Sequence, residues 1–195
     1  MDAISHAVET AVTRKRNALS LMYSREAFRL VAGAFPEVMR RPGDLEARGR
    51  MLLGAALAGT AIENSMLGAA HSAANPLTAH FGIAHGHAVG LMLPHVVRFN
   101  AHEPSIAKVY AELGRAANLA PRAETEEVAA DHLAERLEQF MDIAQLTRSL
   151  KTLGVQPKDI PRLAAEAASQ WTAQFNPRTV AAADFEGLYM EALNG

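Results

Sequence analysis

Apolar residues along this chain recur at intervals of three and four rather than two. Ala27, Leu30, Val31, Ala34 and Phe35 fall at i, i+3, i+4, i+7 and i+8, the spacing of one buried helix face, and the pattern stops at Pro36. The turn Arg41-Pro42-Gly43 then leads to Asp44, a helix-capping residue type. An Ala- and Gly-rich helical run over 45–74 follows, one central helix or two in succession, and its small side chains imply closely packed neighbours. That run carries His71. Pro76 pushes Asn75 toward extended backbone and ends the helix, so 76–84 reads as a loop turning at Gly82. A further helix is expected from His85 to Leu93, broken or bent at Pro94. Upstream, 1–16 reads as a helix with Asp2 in its first turn, where the helix dipole favours a carboxylate.

Downstream, helices are expected over 104–118 and 124–142, the second with Ala129, Leu133, Leu137 and Phe140 as its apolar stripe. A short helix over 146–153 would end at Gly154, and another, with Pro161 in its first turn, would reach 171. Asp184 is placed to cap a last helix that turns Phe185, Leu188, Tyr189 and Ala192 inward. No stretch shows sustained period-two alternation rich in β-branched residues. The expectation is one all-α, multi-helix domain over 1–195, without repeat, low-complexity segment or linker.

Composition narrows what such a domain does. Its 195 residues suffice to bury a core. A net charge of -2, with no Lys/Arg cluster interleaved with aromatics, argues against nucleic acid as a partner. Zero cysteines exclude disulfides, thiolate-bound zinc, iron–sulfur clusters and thiol nucleophiles, and they fit a cytoplasmic protein. The apolar runs at 51–62 and 89–97 are short or broken by Pro94 and His95, so no membrane span is expected, and the first residues lack the pattern of a signal peptide.

Histidine is what gives the chain candidate chemistry. Five of the eight histidines fall between His71 and His95, which concentrates the most versatile metal-ligand side chain in one stretch. His71 and His85 have small neighbours that leave room for an ion or substrate, and His85 at a helix N-terminus would tend to stay neutral, the metal-binding form. The ordinary reading, a hydrogen-bonded core or surface residue, is the default for His80, His87, His95, His102 and His132. Asp2 and His6, four apart on a helix, share a face and can converge on one ion. With His71 and His85 they make one carboxylate and three imidazoles. Such a set suits a divalent first-row metal (iron, zinc, manganese, cobalt or nickel) and is not a typical structural zinc site.

These residues carry a resemblance. MDAISHAVE at 1–9, GAAHSAANPLTAHFGIAHGHAVGLMLPHV at 68–96 and FNPRTVAAADFEGLY at 175–189 together resemble the C-terminal, metal-binding domain of the iron-containing (group III) alcohol dehydrogenases. The resemblance implies an all-α domain of the dehydroquinate-synthase-like kind, with Asp2, His6, His71 and His85 on the family's four metal-ligand positions and iron(II) as the ion, zinc being the alternative. It also implies that the metal acts as a Lewis acid on a small alcohol or aldehyde, while hydride passes between the substrate carbon and the nicotinamide of NAD or NADP.

Two departures from the family pattern matter. Asn75 stands where many members have a second histidine bordering the substrate; it hydrogen-bonds but does not titrate near neutral pH, and it equally suits a helix cap before Pro76. His87 or His80 could supply the imidazole instead. No glycine-rich phosphate loop is present, since Gly82, Gly86 and Gly90 look like turn or close-packing positions, so the dinucleotide-binding domain is expected outside this chain, joined in cis or in trans. The leading expectation is therefore the metal- and substrate-binding half of an NAD(P)-dependent dehydrogenase, inactive alone, with Asn75 and His87 near the substrate. The alternatives are a non-catalytic helical domain that binds metal or a partner chain, and a non-redox metalloenzyme on the same scaffold. An apolar face freed by the missing half would favour homo-oligomers, and Asp2, beside the first residue, is exposed to fraying.

Overall fold

The computed structural model describes residues 1–119, 121 and 123–195. Among these residues no strand occurs, and the α-helices are α1 (Asp2–Thr10), α2 (Ala18–Arg40), α3 (Leu45–Glu63), α4 (Ala69–Phe81), α5 (His85–Ala101), α6 (Pro104–Ala116), α7 (Glu126–Ile143), α8 (Ile160–Ser169) and α9 (Ala182–Asn194). Helices α2 and α3 pair closely at Gly54, where a β-carbon would lie 2.6 Å from Val31 Cγ1 and 3.2 Å from the Ala27 carbonyl. Helix α1 packs on that pair and on α5, while α4 packs between α5 and α8. The apolar faces expected on α2, α7 and α9 are all buried.

Proline does not end the helices that carry the candidate residues. Pro36, Pro76 and Pro94 all lie inside α2, α4 and α5. A proline in a helix interior costs about 3 kcal/mol, but each apolar side chain buried beyond it returns roughly 1.5–3 kcal/mol. Leu77 after Pro76, and Val96 and Val97 after Pro94, are fully or almost fully buried. At Pro36 the last turn is held instead by Glu37, which pairs with Arg40 at 2.7 Å and Arg41 at 2.6 Å. The expected loop over 76–84 therefore shrinks to three residues, with Gly82 in the left-handed region at φ 64 and its N–H closing on the Thr78 carbonyl at 3.2 Å.

The expected helical run over 45–74 is two helices in succession, one of the two forms expected for it. Asn17 Nδ2 donates to the Asn64 carbonyl at 2.7 Å, and Gly68 caps the start of α4 in a cleft where a β-carbon would meet Asn176 Oδ1 at 3.1 Å and Glu9 Oε1 at 3.2 Å. This break puts His71 in the first turn of a new helix rather than deep in an old one. Helix α1 likewise stops at Thr10 instead of 16, because Arg14 N–H leaves the helix to donate to the Phe175 carbonyl at 2.9 Å. Residues 146–153 form turns, not a helix: Leu150 and Lys151 donate to the carbonyls of Ala192 and Leu193 at the end of α9, at 3.0 and 3.1 Å. Gly154, at φ 92, is the expected turn point.

Candidate metal centre

Three helix beginnings meet at one point. Asp2 opens α1, His85 opens α5, and His71 sits in the first turn of α4, with His6 one turn along α1 from Asp2. The Asp2 side chain, at the expected first turn of α1, is the focus of the group. Its Oδ1 lies 3.3 Å from His6 Nε2, 3.4 Å from His71 Nε2 and 3.7 Å from His85 Nε2. The His6 and His71 rings stack at 5.0 Å and 20°, and His85 tilts against His71 at 5.4 Å and 53°. Ligating atoms of Asp2, His6 and His71 all lie within 4.8 Å of one another. Gly90 admits the approach of α5, since a β-carbon there would come within 3.0 Å of Met1 Cβ and 2.9 Å of Met141 Sδ.

The electrostatics follow from burial and from two carboxylates. The His71 imidazole beside Asp2 holds its carboxyl down at about 2. Burial by itself would lower the His71 pKa, but Glu9 and Asp2, on opposite sides of the ring, outweigh it and raise the value to about 9. Burial lowers the His6 pKa against the pull of Asp2.

A cation fits this arrangement for a reason internal to the structure. Asp2 Oδ1 and His71 Nε2 are both buried and have no hydrogen-bond partner. Buried polar atoms are paired in the large majority of cases, and here the unpaired two face each other across the point to which the other imidazoles are turned. Nitrogen and carboxylate donors of this kind match a divalent first-row metal.

Sequence reasoning missed Glu9. It lies on the same face of α1 as Asp2 and His6, at i+7 from Asp2, and that spacing was the signal available for it. Its buried carboxylate accepts from Ala70 N–H at 2.7 Å through Oε1 and from His71 Nδ1 at 2.5 Å through Oε2. Asn176 was also missed as an individual residue, although the stretch 175–189 was noticed. Its Oδ1 accepts from Ala69 N–H at 3.3 Å, and its amide pairs reciprocally with Asn100 at 2.8 and 3.1 Å, so a buried amide pair holds the first turn of α4.

The other expected residues are placed differently. Asn75 does not cap a helix, because α4 continues to Phe81; its Nδ2 donates to Gln170 Oε1 at 3.0 Å. His87 donates from Nε2 to the Thr147 carbonyl at 2.8 Å, which leaves Nδ1 as its free nitrogen. His80 is engaged by Glu166 at 2.6 Å and by Arg162 on α8, while His95 and His132 pair with Glu191 at 3.5 Å and Glu124 at 3.1 Å, the ordinary fate expected of them.

The chain matches known proteins along nearly its whole length. It is 31% identical over 192 residues to the lactaldehyde reductase of Escherichia coli K12, covering 98% of this chain and 49% of the relative. It is 31% identical over 197 residues to the 1-propanol dehydrogenase PduQ of Citrobacter freundii, covering 99% of this chain and 53% of that protein. The chain thus spans about half the length of these curated relatives. A solved structure of 1,3-propanediol oxidoreductase superposes with a TM-score of 0.94 at 26% identity, over 98% of this chain and 50% of that one. The model described as the Fe-containing alcohol dehydrogenase family, C-terminal, matches residues 1–193, and the chain belongs to that family.

Proposed function

We propose that Asp2, His6, His71 and His85 hold one divalent metal ion, iron(II) in the first place and zinc as the alternative. On this reading the domain is the metal- and substrate-binding half of an NAD(P)-dependent dehydrogenase that interconverts a small alcohol with its aldehyde or ketone. The observation that carries the reading is the convergence of three imidazole Nε2 atoms within 3.7 Å of one buried, unpaired carboxylate oxygen. A cation bound there supplies Lewis acidity that stabilises negative charge developing on an alcohol or carbonyl oxygen.

The chain's own residues bind and orient. His6 and His71 stack so that their ligating edges point the same way, and Glu9 holds the His71 ring from behind. Asn75, on α4 one turn beyond His71, and His87, on α5 beyond His85, border the substrate; with its Nε2 tied to Thr147, His87 has Nδ1 available for a proton. NAD or NADP is held by a dinucleotide-binding domain outside residues 1–195, joined in cis or in trans, and hydride transfer needs the two halves to keep the reacting carbons at near-contact distance. No helix among the described residues is long and apolar enough to cross a membrane. Together with the absence of cysteine, this supports a cytoplasmic setting. Leu45, Leu52 and Leu53 stand exposed on α3 and support self-association.

Elemental analysis of the purified chain after dialysis tests the site. About one ion per chain is expected, lost in His71→Ala and His85→Ala; retention in both variants, or none in the wild type, overturns the assignment. Adding a separately produced dinucleotide-binding half should then give alcohol-dependent reduction of NAD or NADP. Robust turnover by residues 1–195 alone would contradict the division into halves.

A further inference from the structure

We propose that Glu9 is a positioning residue for the metal centre, fixing His71 in the tautomer that turns an unprotonated Nε2 toward the cation. The proposal rests on the metal-site reading above. An ionised carboxylate only accepts hydrogen bonds, so the contact of Glu9 Oε2 with His71 Nδ1 requires the ring proton to be on Nδ1. The other oxygen is committed as well. Oε1 takes the N–H of Ala70, one of the donors that the first turn of α4 leaves without an intrahelical partner.

The carboxylate is also confined. It is buried, and the β-carbon that Gly68 lacks would stand a tight 3.2 Å from Oε1. One side chain of α1 therefore sets both where α4 begins and which His71 nitrogen faces Asp2. Its charge has a further use: with Asp2 it gives two negative charges to offset a divalent cation in a poorly solvated place.

This geometry makes two replacements of Glu9 behave in opposite orders. In Glu9→Gln the amide oxygen must stay on Ala70 N–H, because the NH2 group there would set donor against donor. The NH2 then faces His71 Nδ1, which must accept, and the ring proton moves to Nε2, where it blocks the cation. Glu9→Ala frees the ring to take either tautomer but leaves Ala70 N–H unpaired beside a cavity. Glu9→Gln should thus be the more stable protein and the poorer metal binder. A residue that merely supported the fold would make Glu9→Ala worse on both counts.

The test uses the whole chain, Zn2+ titrated by calorimetry, thermal unfolding, and long-range 1H–15N spectra of the histidine rings. Outer-shell replacements of this kind cost roughly 10–100-fold in metal affinity; we expect Glu9→Ala near the lower end and Glu9→Gln near or beyond the upper. With the spectra taken at alkaline pH, above the raised His71 value, so that the ring carries a single proton, that proton should be on Nδ1 in the wild type and on Nε2 in Glu9→Gln. Zn2+ binding by Glu9→Gln as tight as by Glu9→Ala, or a protonated Nδ1 with a bare Nε2 in Glu9→Gln, overturns the proposal. If the wild type takes up no Zn2+, the metal-site reading fails by itself, and the ring spectra still decide whether Glu9 sets the tautomer.

Discussion

His71 and His80 stand at opposite ends of α4, and each has a carboxylate against its ring, Glu9 at 2.5 Å and Glu166 at 2.6 Å. Residue type, element and partner type are the same, yet the two rings are in opposite situations. His71 is buried, is held from behind through Nδ1, and presents an Nε2 without a partner to three other donors. His80 is held where solvent reaches its partners, with Arg162 and Glu166 engaging the ring. A histidine is a candidate ligand when one nitrogen is fixed and the other is left buried and empty; pairing with a carboxylate alone does not make it one.

The comparison breaks most sharply on metal removal. An ion that binds only the folded chain stabilises it by about 4 kcal/mol at a thousandfold excess over its dissociation constant. For a chain of this size that corresponds to roughly 2–4 °C in the unfolding midpoint per kcal/mol. Adding Zn2+ should therefore raise the wild-type midpoint by on the order of 10 °C, leave His71→Ala where it was, and raise His80→Ala as it does the wild type. An equal response of His71→Ala would place the ion elsewhere.

A large loss of stability can also be produced without touching the centre. Gly54→Leu drives a side chain into Val31 and the Ala27 carbonyl, against which even a β-carbon is too close. Overpacking of a buried contact costs about 1–3 kcal/mol and sometimes more, and the upper end is expected because one obstacle is backbone. The midpoint in urea should fall while the metal stoichiometry stays the same. Loss of the ion together with stability would show that the α2–α3 pair and the centre are coupled.

Asn176→Ala falls between these two. It withdraws the acceptor of Ala69 N–H and the reciprocal pair with the Asn100 amide, whose Nδ2 keeps only the Tyr110 hydroxyl, all in the interior. Unsatisfied buried groups cost about 1–3 kcal/mol. Because Ala69 begins the helix that carries His71, a moderate weakening of Zn2+ binding should accompany the destabilisation. Destabilisation with unchanged affinity would mean that Glu9 alone sets the first turn of α4.

How far this was legible in the sequence depended on what kind of signal a residue leaves. The all-α class, the inward faces of α2, α7 and α9, the cap at Asp44, where Oδ1 accepts from Ala47 N–H at 3.0 Å, and the turns at Gly82 and Gly154 all follow from local rules, and the structure has them. Helix ends at Pro36 and Pro76, and a break at Pro94, did not follow, because burial beyond Pro76 and Pro94 and the Glu37 ion pairs beyond Pro36 are quantities that a local rule for proline omits. The run over 45–74 was open to one helix or two, but the place of the break at Gly68 was not legible for a related reason: the residues that make it necessary, Glu9 and Asn176, come from distant parts of the chain. Asp2, His6, His71 and His85 were singled out as candidates by side-chain chemistry and by the family pattern, and the structure brings their side chains to one point. Glu9 was overlooked because a lone glutamate on a helix usually faces water, and only its i+7 spacing from Asp2 hinted otherwise.

The smallest expected effect tests the other end of α4. His80→Asn and Glu166→Gln each remove one member of a group that also contains Arg162, which bonds to Glu166 Oε1 at 3.0 Å. Its members sit at or near the surface, where an ion pair gains little Coulomb energy and restricts long side chains. The Glu166 carboxyl is held below its usual range by the His80 hydrogen bond first and Arg162 second. Protonating it at low pH would undo a contact that solvent already screens. Neither variant should shift the thermal midpoint measurably at neutral pH, and both should keep wild-type Zn2+ uptake. Reduced uptake in His80→Asn would mean that the far end of α4 feeds back on its first turn, and the contrast between its two histidines would then be one of distance along a coupled helix rather than of local environment.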